Sequence, residues 1–162
     1  MAIDLDRIET DRLMLRGINE TDAPEIVTWR SQQEVYRYFK APHAISMEEH
    51  LRWYTEHYRS NSDRFDWMCI EKESGDKVGV FGLARNEETA EVSYLLAPSA
   101  RHKGYASEAV TALTGYAINI WAVKQVIAEI HKDNTPSIAL VKKLGFTLQA
   151  QKGNFVIYGI EG

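Results

Sequence analysis

The stretch RHKGYASEA, residues 101–109, sets Arg101, His102 and Lys103 ahead of Gly104 and a helix-forming run. These residue types can hold an anion. The first-turn amides of a helix lack internal partners, and its aligned peptide dipoles place roughly half a positive charge there. Gly104 lets backbone approach a ligand, Ala106 is too small to obstruct it, and the basic side chains add potential. The result is a phosphate site made mostly of backbone. Neither familiar nucleotide loop fits. A Walker loop needs Lys-Ser/Thr after its last glycine, where this chain has Tyr105, and a dinucleotide loop needs G-x-G-x-x-G. Taken alone, the segment reads equally well as a solvated basic loop before a core helix.

The elements that must position this loop follow from hydrophobic period and capping. RLMLRGI (12–18) alternates like a strand. The segment 21–32 has helix-start chemistry in Asp22, Pro24 and Glu25. In 46–60, Ser46 and Glu49 form a capping box, and Met47, Leu51, Tyr54 and Tyr58 make one apolar stripe. Residues 65–84 read as a β-hairpin around ESGD, and 90–97 as a third strand stopped by Pro98. A long helix follows the loop, with Ala106, Ala109, Val110, Leu113, Ala117, Ile120 and Trp121 at helical spacing. KQVIAEI (124–130) is strand-like. NTPSIALVKKLG is a short helix capped by Asn134 or Thr135 and stopped at Gly145, and FTLQAQ and NFVIYGI close the chain as strands. Residues 90–130 should form a right-handed βαβ unit with the loop at the strand ends, where ligands bind. The fold class is α/β, a mixed sheet covered by helices.

The totals narrow the function. A chain of 162 residues suits one domain, 1–162, and 44% hydrophobic with 26% charged residues is ordinary for a globular protein. A net charge of −4 argues against nucleic acid and tolerates cationic substrates such as amines. The lone cysteine, Cys69, excludes an internal disulfide and lies in an apolar strand, a core position rather than a nucleophile. MAIDLDRIETDRL has no signal-peptide core and no run approaches a membrane span, so a cytoplasmic location is expected. His43, His50 and His57 lack metal-ligand spacing, so no metal is expected.

Several separated stretches resemble one superfamily. RHKGYA is similar to the Q/R-x-x-G-x-G/A signature of the GNAT acyltransferases, with alanine last. NTPSIALVKKLGF, about 30 residues later, resembles that superfamily's Asn-x-x-Ser/Ala…Lys-x-Gly-Phe helix and turn. IETDRLMLRGINETDA and AEVSYLLAP resemble the opening and the pre-loop strand of its RimJ/RimL-like branch. The resemblance covers nearly the whole chain in the right order.

It implies a GNAT-like fold: a mostly antiparallel sheet with one parallel pair, 90–97 and 124–130, splayed apart and flanked by helices. It implies acetyl-CoA as co-substrate. The pyrophosphate would lie on the backbone of Arg101, His102, Lys103, Gly104, Tyr105 and Ala106. The pantetheine arm would pair with Leu95, Leu96 and Ala97 like an added strand. Asn134 and Ser137 would contact the cofactor's far side.

Acetyl transfer to an amine needs a route for the amine proton, a donor for the charge developing on the thioester oxygen, and a proton for the leaving thiolate. The resemblance points to Glu91 as the base, with His131 a second candidate. The amide of Leu96, freed by a local bulge, would serve the oxygen. Many family members carry a tyrosine acid where this chain has Val141, so Ser137, or a water held by Asn134, takes that place.

The acceptor region should be 30–67 with the closing strands. The branch suggests a peptide or protein α-amine. The alternatives are a small-molecule amine, above all a nucleotide-linked amino sugar whose diphosphate Arg30, Arg37 or Arg52 would bind, and then a polyamine. A non-catalytic acyl-CoA-binding module is the reading from another class, and a homodimer would be in keeping with such folds.

Overall fold

The computed structural model describes residues 6–162. The elements are β1 (Ile8–Glu9), β2 (Leu13–Gly17), α1 (Ala23–Arg30), α2 (Gln33–Tyr36), α3 (Met47–Trp53), β3 (Arg64–Glu71), β4 (Lys77–Asn86), β5 (Thr89–Leu96), α4 (Tyr105–Asn119), β6 (Gln125–His131), α5 (Thr135–Lys143), β7 (Thr147–Lys152) and β8 (Phe155–Glu161). They build an eight-stranded sheet in the order β1-β2-β3-β4-β5-β6-β8-β7. Every pairing is antiparallel except β5 with β6. This is the mixed α/β architecture that the element order implies.

The parallel pairing is brief. It runs from Thr89↔Gln125 to Glu91↔Ile127 and then stops. β5 continues against β4 as far as Leu96, and β6 continues against β8 as far as His131. The two strands therefore open into a wedge, with the 101–104 loop at the far end of β5.

Strand alternation divides the sheet's two faces. Trp67 and Phe81 are fully buried on one face, where the Trp67 ring meets Tyr116 of α4 at 5.4 Å. The apolar stripe of α4, Ala109, Val110, Leu113 and Ala117, is also fully buried. On the other face, Arg64, Asp66, Val80, Ser93 and Leu95 look toward α1 and α3 across a cavity.

Three expectations are corrected. Asp22 does not cap α1. Asn19 caps a 3-10 turn, Glu20–Asp22, and Asp22 is buried with Arg16 at 2.8 Å and Lys77 at 2.9 Å. Burial raises its pKa, but hydrogen bonds from Arg16 and Lys77 prevail and hold it at about 2. The capping box Ser46–Glu49 forms, but the apolar stripe behind it does not persist. Met47 is exposed, and the helix widens into a π turn at Tyr54–Tyr58 that carries the Tyr58 hydroxyl to the Asp66 amide, which donates to it at 2.7 Å. α4 ends at Asn119, so Ile120 lies in solvent rather than on the helix's buried stripe.

Candidate active site at the strand wedge

The loop before α4 has the backbone that an anion site needs. His102 and Gly104 are both left-handed, with φ of 63° and 81°, and alternating handedness turns successive amides toward one side. Gly104 is required twice over: its φ disfavours a side chain, and an added Cβ would press to 3.3 Å from Arg12 Nη2. The bond entering α4 from the loop is Glu108 N–H to the Gly104 carbonyl at 3.1 Å, so the amides of Tyr105, Ala106 and Ser107 lie outside the helical ladder.

The basic side chains are partly committed elsewhere. Arg101 pairs with Glu34 at 3.1 Å, while His102 and Lys103 are exposed. Tyr105 and Ala106 are buried and can offer only backbone: the Tyr105 hydroxyl donates to Glu71, and the Arg12 guanidinium stacks on its ring at 4.6 Å. The Lys103 carbonyl accepts from Arg12 Nη1 at 2.8 Å.

Glu108, which reads as a helix-surface residue in the sequence, is a hub. It accepts from the Thr10 hydroxyl and from Arg12 through both its amide and its Nε. The only sequence trace of this clamp is the T-x-R-L opening, nearly a hundred residues away in the chain.

The wedge presents the polar groups of alternate β5 residues. Ala97 N–H donates to the Val78 carbonyl on the β4 side at 2.9 Å, and the Glu88 carbonyl accepts from Lys124 N–H on the β6 side at 2.7 Å. Alternation then directs the N–H and C=O groups of Val92, Tyr94 and Leu96 into the wedge, and those of Leu95 and Ala97 toward β4. Of the three residues expected to line the arm, Leu96 is the one whose amide faces it. No bulge is needed: the β4–β5 register runs unbroken from Asn86↔Thr89 to Gly79↔Leu96, and the divergence of β6 frees the edge.

Across the wedge stands α5. Asn134 caps it, its side chain accepting from Ser137 N–H at 3.4 Å, and Val141 is buried. The Ser137 hydroxyl lies 2.8 Å from the hydroxyl of Tyr94. A tyrosine hydroxyl therefore does reach this helix, but from β5 rather than from position 141. Burial raises the Tyr94 pKa against the opposing effect of the Ser137 bond, so the phenol stays protonated at neutral pH. Sequence spacing points to the helix alone, because residues facing each other across a sheet opening have no spacing to betray them.

Glu91 lies where the parallel ladder ends. Burial raises its pKa, as does Glu129 on β6, while Lys40 and Arg64 oppose them. Glu129 is itself paired with Lys40 at 3.0 Å. A carboxylate with a raised pKa, close to a basic group, is suited to take up a proton. His131 instead packs between the rings of Tyr38 and Phe155, at 5.5 and 5.3 Å, and its Nδ1 accepts from the Asp133 amide.

Next to Glu91 is a cavity of about 320 Å³. Arg64, Asp66, Val80, Ser93 and Leu95 form its sheet side, and the cross-strand row Arg64–Ala84–Glu91 carries that sheet face on to Glu91, which stands beside the cavity rather than in its lining. The lack of a side chain at Gly82 seats the Asp66 carboxylate, because an added Cβ would stand 2.2 Å from its Oδ1. Arg64 Nε donates to Asp66 at 2.8 Å and its guanidinium lies over Trp53. Arg30, Phe39, His50 and Trp53 close the roof. His50, set among charged neighbours in MEEHLRW, gives no site signal in the sequence, yet it is buried, and burial followed by the nearby Arg30 lowers its pKa. Cys69 is buried in the sheet, which pushes its thiol up to about 12. Among the described residues no group of three or more His, Cys, Asp or Glu is placed to hold a metal ion, and no helix is long and apolar enough to cross a membrane.

Comparison with known proteins agrees with this geometry. Residues 12–147 match the family model described as the acetyltransferase (GNAT) domain. The uncharacterised N-acetyltransferase YoaA of Bacillus subtilis is 28% identical over 145 residues, covering 86% of this chain and 81% of that protein. A crystallised domain from Methanocaldococcus jannaschii superposes with a TM-score of 0.83 at 25% identity, covering 93% of this chain and 99% of the other. The spermidine N-acetyltransferase of Vibrio cholerae, solved in complex with CoA and spermine, superposes with a TM-score of 0.84 at 18% identity, covering 94% and 96%.

Proposed function

The chain belongs to the acetyltransferase (GNAT) domain family and is an N-acetyltransferase, and from that premise we propose an acetyl-CoA-dependent enzyme of the RimJ/RimL-like type, one catalytic domain over 1–162, that acetylates a small primary amine by direct attack on the thioester. The observation that carries this reading is the wedge between β5 and β6, with free amides at its loop end and a cavity on its acceptor side. Acetyl-CoA supplies the acetyl group and a thiolate leaving group.

The chain's own residues have separable tasks. The amides around Gly104 hold the pyrophosphate, with Arg101, His102 and Lys103 adding potential. Asn134 and Ser137 line the far side. The Leu96 amide donates to the oxygen that gains charge, an interaction typically worth about two to three powers of ten in rate. Glu91 takes the amine proton, directly or through a water. Tyr94, hydrogen-bonded to Ser137, returns a proton to the thiolate.

The acceptor is read from the cavity rather than from the branch motifs. Thr10 and Arg12 of the opening motif hold Glu108 on the donor side, and Tyr94 of AEVSYLLAP faces the wedge. These motifs support the donor half and say little about a peptide acceptor. A cavity of about 320 Å³ under α1 and α3 has the size of a small molecule.

The test is thiol release from acetyl-CoA with a panel of peptides, amino acids, amino sugars and polyamines. Release with a small amine is the expected result. Tight CoA binding without release from any amine would support a binding module instead. Release with peptides alone would restore the α-amine acceptor.

A further inference from the structure

The cavity roof holds a cation with no acidic partner among the described residues. Arg30, the last residue of α1, lines the cavity with its guanidinium over the Phe39 ring at 5.4 Å. Among the described residues it makes no ion pair and no hydrogen bond. Every other charged group nearby is engaged or neutral. Asp66 is committed to Arg64, and Lys40 to Glu129. His50 is biased toward the neutral form by burial. Glu49, the acid that acts on Arg30, caps α3 at Ser46. Arg30 is half-buried, and a guanidinium drawn partly out of water without a counter-ion is stabilised when an anion binds beside it.

The opposite charge collects at the other end. Glu91 and Glu129 flank the end of the parallel ladder. Glu91 is followed on the same strand face by Ser93 and Leu95, which line the cavity, at about 7 Å per two residues. An unpaired cation thus lines the cavity's roof, and carboxylates stand just beyond its lining at the wedge.

We propose that the acceptor is a small amine that also bears an anionic group, a carboxylate or a phosphate, and that Arg30 binds this anion while the amine is delivered to Glu91. The proposal rests on the acetyltransferase reading above. It also separates the three arginines that the sequence offers for an acceptor phosphate. Arg52 is spent on Glu48 at the surface, and Arg37 stacks on Tyr38, while Arg30 faces the cavity. A polycation would meet the unpaired charge of Arg30 in the cavity and is disfavoured.

The experiment compares matched pairs: an amino acid with its amide, and glucosamine with glucosamine 6-phosphate, with spermidine as a third arm. For each, kcat/KM is measured for the wild type, Arg30→Gln and Arg30→Lys. One charge-assisted contact predicts about a ten- to hundredfold preference for the anionic member. Arg30→Gln should lower kcat/KM for the anionic member by that factor and for the uncharged member by much less, so that the preference is lost, and Arg30→Lys should keep part of it. Which pair shows the effect tells carboxylate from phosphate. Thermal melts of both variants separate folding from recognition.

Calorimetric binding of the same pairs to the CoA-loaded protein gives a readout without turnover. If no amine is acetylated, an Arg30-dependent preference in binding still supports the anion site, and the acetyltransfer reading alone fails. Equal kcat/KM and equal binding within both pairs, a uniform loss in Arg30→Gln, or spermidine as the preferred substrate overturns the proposal.

Discussion

Arg12 grips Glu108 at two points, its backbone amide 3.0 Å from one carboxylate oxygen and its Nε 2.7 Å from the other. Its Nη1 meanwhile holds the Lys103 carbonyl. The edge of the sheet thereby fixes the shape of the loop that would bind the donor. Burial raises the Glu108 pKa, but bonds from Thr10 and Arg12 outweigh it and keep the group ionised.

Glu108→Gln should therefore weaken CoA binding by about tenfold, the scale of one or two charge-assisted hydrogen bonds, with kcat falling far less. Arg12→Ala should behave alike, and the double variant should cost little more than either single one because both act on one clamp. Calorimetric titration with CoA measures this. A change in kcat with an unaltered dissociation constant would place Glu108 in the chemistry instead.

Glu91→Gln should lower kcat/KM by about 10²-fold or more, the usual range for a lost general base. The raised pKa of Glu91 means that the wild-type rate climbs with pH as the carboxylate ionises. In the variant the remaining rate should follow ionisation of the amine itself, near pH ~8 for an α-amine and ~10.4 for a lysine-like amine. The deficit is thus widest near neutrality and narrows in alkali. Superimposable pH–rate profiles would remove Glu91 from the role.

Tyr94→Phe should reduce kcat by about 10²-fold, at the low end for a general acid because a thiolate leaves readily. The alkaline limb of the wild-type profile should vanish with the phenol. Ser137→Ala should cost less, since it removes only the group that orients the hydroxyl. Full activity in Tyr94→Phe with normal CoA affinity would return the proton to Ser137 or to water.

Asp22→Asn should destabilise the fold by about 3 kcal/mol at neutral pH, because Arg16 and Lys77 would keep their charges beside a neutral amide. The sign of the pH effect follows from a folded pKa of about 2 against an unfolded value near ~3.9. The stabilisation is complete above the unfolded value and is lost as pH falls through the folded one. Urea melts between about pH 5 and pH 2 should show this loss in the wild type and its absence in the variant.

Much of the frame was legible because it depends on local chemistry. The capping box at Ser46, the hairpin around ESGD, the cap at Asn134 and the left-handed glycine before α4 each arise from neighbours in sequence. What escaped reading depends on distance. Asp22 looked like a helix cap because its charged partners, Arg16 and Lys77, lie on two different strands. Tyr94 looked like a strand residue because Ser137 faces it only once β6 has diverged. Bulk composition could not show that Arg30 differs from Arg37 and Arg52, since the difference is one of place: Arg30 lines the cavity, Arg37 lies over Tyr38 and Arg52 is paired with Glu48.

The brevity of the parallel ladder has a mechanical consequence. Among the described residues, the strand ladder joining β6, β8 and β7 to the other five strands is the short run Thr89–Glu91 against Gln125–Ile127. The sheet is two leaves of a book sharing a short spine, and the gap between them is where an acetyl donor would lie. Backbone bonds made by such a donor would act as binding stitches, so occupancy of the site and stiffness of the whole sheet become a single property.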